Sequence, residues 1–315
     1  MESLISVDKV KIKPGFEKRY RCLCGDDYDN FIKYSLAFIK RSLRVNTLKI
    51  TVEEAKMRLN DKGWRLEQIP WCKEGFWIEH DTGRRDIGNT TEHALGYIYV
   101  QEAASMIPPM VLEPKPGDTV LDMCASPGSK SSQIAAMMKN TGILVCNDYK
   151  GDRAKPLGIN LQRVGATNSI VTMSNGQRIK GREFDKILVD APCSGTGTIR
   201  TSLKTLLIWN ERSITNLSVP QKQLLDKAFN LLKQGGVLVY STCSLEPEEN
   251  EGIVSYLLEK YPNAKTLPIT LDIKRGETVT EFEDKTYHEG VKNTLRIWPQ
   301  DNNTEGFFVA KIQKN

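Results

Sequence analysis

From Asp118 onward the chain alternates strand-like and helix-like segments at short spacing, and few folds accept that rhythm. Apolar runs at residues 119–123, 143–146, 169–172, 186–189 and 237–240 read as strands. Residues 130–139, 153–164, 220–232 and 247–260 read as helices. Runs such as Ile187-Leu188-Val189 and Val237-Leu238-Val239 do not alternate with polar residues, as expected of strands covered on both faces. The pattern predicts an α/β fold with a mostly parallel, doubly wound, Rossmann-like sheet. Ligands in such sheets bind beyond the carboxyl ends of the strands, near the point where strand order reverses.

The chain before this body reads differently. Residues 29–43 place Phe31, Ile32, Leu36, Ile39 and Leu43 at helical spacing and predict one amphipathic helix, with a short strand over 44–48. Residues 51–60 predict a helix with Thr51 as N-cap and Glu54 three residues later. Aromatic-rich strands through Ile78 complete a small α+β module. The apolar stretch 97–112 stops at EPKPG, a turn signal, and the boundary is placed near there. This divides the chain into a module of residues 1–100 and a body of residues 101–315.

Composition excludes several classes. Charged residues at 26% and hydrophobic residues at 39% suit a globular protein in water. No apolar run reaches the length of about 18 residues that a transmembrane helix needs. Residues 1–18 lack the apolar core of a signal peptide, so a cytoplasmic location is expected. Seven cysteines scattered over 315 residues do not form a disulfide framework. Of further Cys or His donors, only Cys72, His80 and His93 lie anywhere near Cys22 and Cys24 in the sequence, without paired zinc spacing, so no metal is expected. Residues 1–50 hold eleven Lys/Arg against six Asp/Glu, which is the whole net charge of +5. A basic arm beside a neutral body fits a protein that faces nucleic acid.

The strand ends carry the chemistry. DMCASPGSK at 122–130 is a small-residue turn that lets backbone approach a ligand and opens a helix with free N–H groups. Asp148 ends the next strand, placed to accept hydrogen bonds from both hydroxyls of a ribose. The loop is not G-x-G-x-x-G, which disfavours a dinucleotide; it suits a class I methyltransferase, with Asp122 near the methionine end of the cofactor. DAPCSGTG at 190–197 crowds an acid, a rigid proline and a thiol into one loop, and STCS at 241–244 places Cys243 just before a predicted helix start at Pro247. The positive end of that helix would favour a thiolate.

Carbon 5 of cytosine takes a methyl group from a sulfonium only after a thiolate has added to C6 and a hydrogen bond or proton at N3 has stabilised the adduct. The base must also leave any stack. Cys243 or Cys193 supplies the thiol, and Asp190, its pKa raised by burial, would serve N3. Lys130 is flexible enough to point into the same pocket, though a lysine in the first turn of a helix can equally face solvent. Residues 122–148 provide the cofactor region.

These motifs, with QEAAS at 101–105, YSTCS at 240–244 and TEGFFVAK at 304–311, resemble the NSUN-type (Sun/Fmu) RNA cytosine-C5 methyltransferase family over most of the chain. The resemblance implies S-adenosylmethionine as cofactor, held by Cys124, Ala125, Ser126, Pro127, Gly128, Ser129, Lys130, Asp148 and Arg153, with Asp190 beside it. It implies Cys243 as nucleophile, Cys193 in product release, and Asp190 and Lys130 around the target cytosine. The family often carries an aspartate after the third strand for the adenine amino group; here Asn175 stands in that region. The tail WPQDNN at 298–303 is also richer in asparagine than the family usually shows. Residues 1 to about 100 would form an RNA-recognition-like module. Compact members of this kind, typical of archaea, mostly resemble tRNA enzymes, so RNA, and tRNA in particular, is the expected partner. A monomer suffices, and an accessory specificity protein is compatible with it.

The competing readings are an rRNA cytosine methyltransferase, a DNA cytosine methyltransferase attacking with Cys193, a small-molecule methyltransferase, and a non-catalytic RNA-binding factor on the same fold. The second thiol at Cys243 disfavours DNA. The intact Cys193, Cys243, Asp190 and Asp148 disfavour a non-catalytic role, and the basic arm disfavours a small substrate.

Overall fold

The computed structural model describes residues 11–181 and 183–315. Residues 1–10, with Lys9 and the first part of the stretch read above for a signal peptide, lie outside the described residues, as does Arg182. Two helices open the described chain, α1 (Pro14–Cys24) and α2 (Tyr28–Ser35). The single helix expected over 29–43 is not formed: α2 stops at Ser35 and strand β1 covers Ser42–Val45. Helical spacing ran on because its apolar residues serve two different cores. Leu36 is buried with the helices, whereas Leu43 is buried in the sheet module that follows.

That module comprises β1, α3 (Val52–Asn60), β2 (Trp64–Gln68), β3 (Gly75–His80), α4 (Thr91–Ala94) and β4 (Ile98–Val100). Its strands form an antiparallel sheet in the order β2-β3-β1-β4. Thr51 caps α3 as expected, its hydroxyl accepting from the Glu54 N–H at 3.2 Å. Leu43, Val45, Leu59, Trp64, Phe76 and Ile98 close a small core of its own.

After α5 (Ile107–Leu112) come β5 (Thr119–Asp122), α6 (Ser129–Met137), β6 (Ile143–Asp148), α7 (Gly151–Val164), β7 (Ser169–Met173) and β8 (Phe184–Asp190). Then follow α8 (Lys204–Ile208), α9 (Glu211–Leu231), β9 (Leu232–Thr242), α10 (Glu251–Lys260) and β10 (Ala264–Leu267). A small hairpin, β11 (Glu281–Phe282) and β12 (Lys285–Thr286), precedes β13 (Leu295–Ile297), α11 (Pro299–Asn302) and β14 (Phe307–Lys314). The large sheet runs β10-β14-β9-β8-β5-β6-β7, with β13 on β14. Strands β5 to β9 are parallel, and β14 joins antiparallel between β9 and the edge strand β10. Alternate residues bury into opposite layers: Val120, Leu188 and Val239 into one, Leu121, Ile187 and Leu238 into the other. This is the two-faced burial that the unbroken apolar runs implied.

Two helix starts differ from expectation. Helix α9 begins at Glu211, not at Pro220, because Asn210 caps it by accepting from the Ser213 N–H at 2.9 Å. Proline is tolerated inside the helix at the cost of one backbone bond. The segment from Pro247 is a single 3₁₀ turn, and α10 proper starts at Glu251.

The first helices pack on the body. Phe16, Tyr20 and Phe31 share a core with Trp209, Leu245 and Trp298, and Arg19 pairs with buried Glu246 at 2.7 Å. The sheet module is tied to the body through Arg44, only 2% exposed, whose guanidinium donates to Gln101 Oε1 at 3.0 Å and to Ser132 Oγ on α6 at 2.7 Å. Asn46 adds bonds to the carbonyls of Gly96 and Val164, both at 2.8 Å. Arg44→Ala strands Gln101 Oε1 and Ser132 Oγ and opens a cavity, so a loss of about 2–4 kcal/mol in urea unfolding is expected. Among the described residues no helix is long and apolar enough to cross a membrane.

Candidate active site

Strand order reverses at β5, which has β8 on one side and β6 on the other. The carboxyl ends of β6, β5, β8 and β9 therefore meet at one rim, and they deliver Asp148, Asp122, Asp190 and the Thr242–Cys243 step to it. The residues singled out by sequence come together there.

On the β5–β6 side lies a cleft of about 300 Å³, lined among others by Met123, Cys124, Asp148, Asn175, Pro192 and Leu224. Asp148 is 2% exposed. It accepts from the backbone N–H of Tyr149 at 2.8 Å and of Ser126 at 3.2 Å, and from Arg153 Nε at 3.1 Å. Arg153 also reaches the Ser126 carbonyl at 3.3 Å, so it clamps the loop onto the strand end. Gly128, with φ at +103°, caps α6 in a backbone region closed to most side chains. Asn175 stands at the cleft, with its Oδ1 accepting from the Gln177 N–H at 3.1 Å.

Asp122 sits behind this loop, 1% exposed. Its Oδ2 accepts from Ser131 Oγ at 2.6 Å, and its Oδ1 has no partner among the described residues. Burial, reinforced by the neighbouring Asp190 carboxylate, pushes its pKa up to about 7.

On the β8–β9 side the two thiols meet, Cys193 Sγ lying 3.3 Å from Cys243 Sγ. The contact with Cys243, and then burial, hold the Cys193 thiol far above the usual cysteine range. Either sulfur can donate in this contact. Asp190 is paired across the sheet with Ser241, whose hydroxyl donates to Oδ1 at 2.7 Å, while Lys130 Nζ lies 2.7 Å from Oδ2. Lys130 is buried and also donates to Ser105 Oγ at 3.0 Å. Burial alone would lower its pKa, but Asp190, with Asp122 and Cys243 in range, raises it.

Two expectations change here. Asp190 accepts two hydrogen bonds, so the N–H group in the pocket is the Lys130 ammonium. The charge beside Cys243 is also Lys130, because a lone 3₁₀ turn at Pro247 lacks the dipole of a long helix.

Sequence reading missed the groups that fix the thiols. Glu249 is buried and accepts from the Ser194 N–H at 2.9 Å, the Ser194 hydroxyl, Ser244 Oγ at 2.5 Å and Gln221 Nε2 at 2.9 Å. One carboxylate therefore ties the Cys193 loop, the Cys243 loop and α9 together. Glu102 does the same for Ser105 and for the Glu305-Gly306-Phe307 stretch, accepting the N–H of Ala104 at 2.7 Å and of Glu305 at 3.3 Å. Phe307 faces Lys130, whose Nζ is 5.6 Å from the ring centre. An acid-rich stretch such as EPEENE gives no sign of which acid is turned inward.

Backbone contact at Gly197 holds the loops equally close. Its N–H donates to the Cys243 carbonyl at 2.9 Å, and its own carbonyl accepts from Gly306 at 2.9 Å. A Cβ there would lie 2.1 Å from the Gly306 oxygen. Gly197→Ala is expected to destabilise by about 2–3 kcal/mol. Displacing the thiols should also cut methyl transfer by more than about tenfold in a tritium-incorporation assay.

A doubly wound sheet whose strand ends hold this cleft beside a reactive group is the class I methyltransferase arrangement. Residues 109–313 match the model of 16S rRNA methyltransferase RsmB/F, and residues 12–103 match the N-terminal domain of 16S rRNA methyltransferase RsmF. The chain belongs to the RsmB/F methyltransferase family. It is 44% identical to the tRNA (cytosine(49)-C(5))-methyltransferase of Pyrococcus abyssi, over 96% of this chain and 97% of that one. It is 42% identical to ribosomal RNA small subunit methyltransferase F of Vibrio atlanticus, over 91% of this chain but 60% of that protein's length. A solved methyltransferase homologue from Pyrococcus horikoshii superposes with a TM-score of 0.85 at 40% identity, covering 95% of this chain and 94% of that one.

Proposed function

We propose that the chain methylates carbon 5 of cytosine in tRNA, with Cys243 as the attacking nucleophile. The chain is an S-adenosylmethionine-dependent RNA cytosine-C5 methyltransferase, the class its family defines. The observation that carries the assignment of roles is the contact of the two thiols beside the Lys130–Asp190 pair. Preference for tRNA is supported by the match to the archaeal tRNA enzyme, which runs along almost all of both chains.

The residues fit the cofactor. Met123, Pro192 and Leu224 give apolar walls for an adenine ring, and Asp148 stands at the strand end for ribose hydroxyls. The unpartnered Asp122 oxygen suits the ammonium of the methionine end. Arg153, half exposed, shields Asp148 and has room to swing aside. Asn175 would take the adenine amino group through its side-chain oxygen. When bound, the cofactor supplies a methyl group on a sulfonium.

The protein's own groups do the rest. Cys243 Sγ bonds to C6 as Lys130, held by Asp190, donates to the base and stabilises the charge that develops on the ring. Carbon 5 then takes the methyl group. The C5 proton then leaves to solvent in a step that Cys193 assists, the C5–C6 double bond reforms, and the Sγ–C6 bond breaks to return the Cys243 thiolate. Residues 1 to about 100, with their basic excess, would present the RNA to the body formed by residues 101–315, and a monomer is sufficient for this scheme.

Bisulfite sequencing of tRNA and rRNA from cells with and without the gene tests the substrate. A tRNA cytosine, position 49 first among candidates, is expected to lose its protection. Loss confined to rRNA would move the proposal to the ribosomal alternative, and loss of no RNA site would sink it.

A further inference from the structure

A second cleft, of about 400 Å³, adjoins the thiol pair and is lined by Cys193, Thr205, Ile208, Trp209, Ile214 and Leu217, among others. We propose that it is the subsite for the nucleobase next to the target cytosine in the RNA strand, a proposal that rests on the RNA-methylation reading above.

Position gives the first argument. Cys193 is a wall of this cleft and touches Cys243, so a strand that delivers cytosine to Cys243 passes the mouth within one nucleotide step. Chemistry gives the second. Turning a cytosine out of its stack leaves its neighbour with a bare aromatic face, and apolar walls replace the lost stacking.

The cleft is also built in advance. Trp209 is fixed by its indole N–H to Glu246 at 2.9 Å, by Lys13 Nζ on its carbonyl at 2.7 Å, and by the Phe16 ring edge-on at 5.4 Å. A rigid wall of this kind loses little entropy on binding a planar base. Polar atoms are available for the base edge. Among the described residues, the Ser213 hydroxyl and the Asn216 amide make no hydrogen bond within the protein, and Pro220 has no N–H to offer the Asn216 carbonyl.

The surface around it matches a strand of RNA. Leu207, Ile208 and Val219 on α8 and α9 are 65%, 58% and 54% exposed, an apolar rim left uncovered by the described residues. Exposed Lys204 and Arg212 on the same two helices supply charge for the phosphates.

The test uses the full chain and a tRNA ligated from two pieces, with the base-less ribose placed either 5′ or 3′ to the methylated cytosine. Ile208→Ser and Leu217→Ala are compared with the wild type, and cofactor binding by calorimetry checks that each variant is folded. The wild type should lose about tenfold or more in kcat/KM when the neighbouring base on one side is removed. Each variant should show a similar loss on intact tRNA and little further loss on the base-less one. Equal losses by the variants on both RNAs, or a wild type indifferent to the base on either side, would overturn the subsite. A wild type that binds cofactor yet methylates no tRNA overturns the substrate reading instead, and the subsite with it.

Discussion

Cys243→Ala should abolish methyl transfer, by at least roughly four orders of magnitude, and leave no covalent protein–RNA complex on a denaturing gel. Cys193→Ala should instead accumulate that complex, turning over slowly while still bonding to the base. The asymmetry follows from the different surroundings of the two thiols. Contact with Cys243 and burial push Cys193 toward its protonated form, which makes it the poorer attacker, whereas Lys130 supplies positive charge in range of Cys243. If Cys193 were the nucleophile, as in DNA cytosine methyltransferases, the gel would show the opposite pattern. Cofactor binding separates a chemical from a structural effect: both variants should bind S-adenosylmethionine as the wild type does, because neither thiol lines that cleft.

The strand ends were legible because an α/β sheet puts function where strands stop, and the strands announced themselves as unbroken apolar runs. Asp122, Asp148, Asp190 and Cys243 therefore fell into place from sequence alone. Helix boundaries were less so. Pro220 looks like a start signal, yet Asn210 already caps the helix ten residues earlier. The run through Leu43 looked like one helix because periodicity reports burial without saying in which core. Glu249 was invisible for a deeper reason: its partners Ser194 and Gln221 are 55 and 28 residues away, and only the folded sheet brings them to one carboxylate. The same holds for Arg19 and Glu246, which join the first helix to the loop beyond Cys243 across 227 residues. Positive charge near the amino terminus was read as RNA-facing, but part of it, Arg19 and Arg44, is consumed inside the protein.

Asp122→Asn should make the cofactor-free protein more stable above neutral pH and weaken its hold on S-adenosylmethionine. The folded pKa of Asp122, about 7, lies above its ordinary value of 3.8, because burial disfavours the charged form. A raised carboxyl binds its proton more tightly in the folded state. Its contribution is therefore intact below about pH 4, is lost progressively as pH climbs toward 7, and above that the fold carries a buried, half-satisfied carboxylate. The gap between 3.8 and about 7 corresponds to on the order of 4 kcal/mol at most. An amide cannot ionise, so thermal unfolding of Asp122→Asn should decline less steeply over that window than that of the wild type, the two curves separating as pH rises, while other buried carboxyls such as Glu102 act on both. The ligand gives the costly acid a use. An ammonium at the unpartnered oxygen would draw the proton off, and the stability missing from the empty protein would return as binding energy. Cofactor affinity of the wild type should accordingly strengthen from pH 6 to 8, and that of Asp122→Asn should be weaker and insensitive to pH. Curves that run parallel for the two proteins would place the titrating group elsewhere and remove Asp122 from the cofactor site.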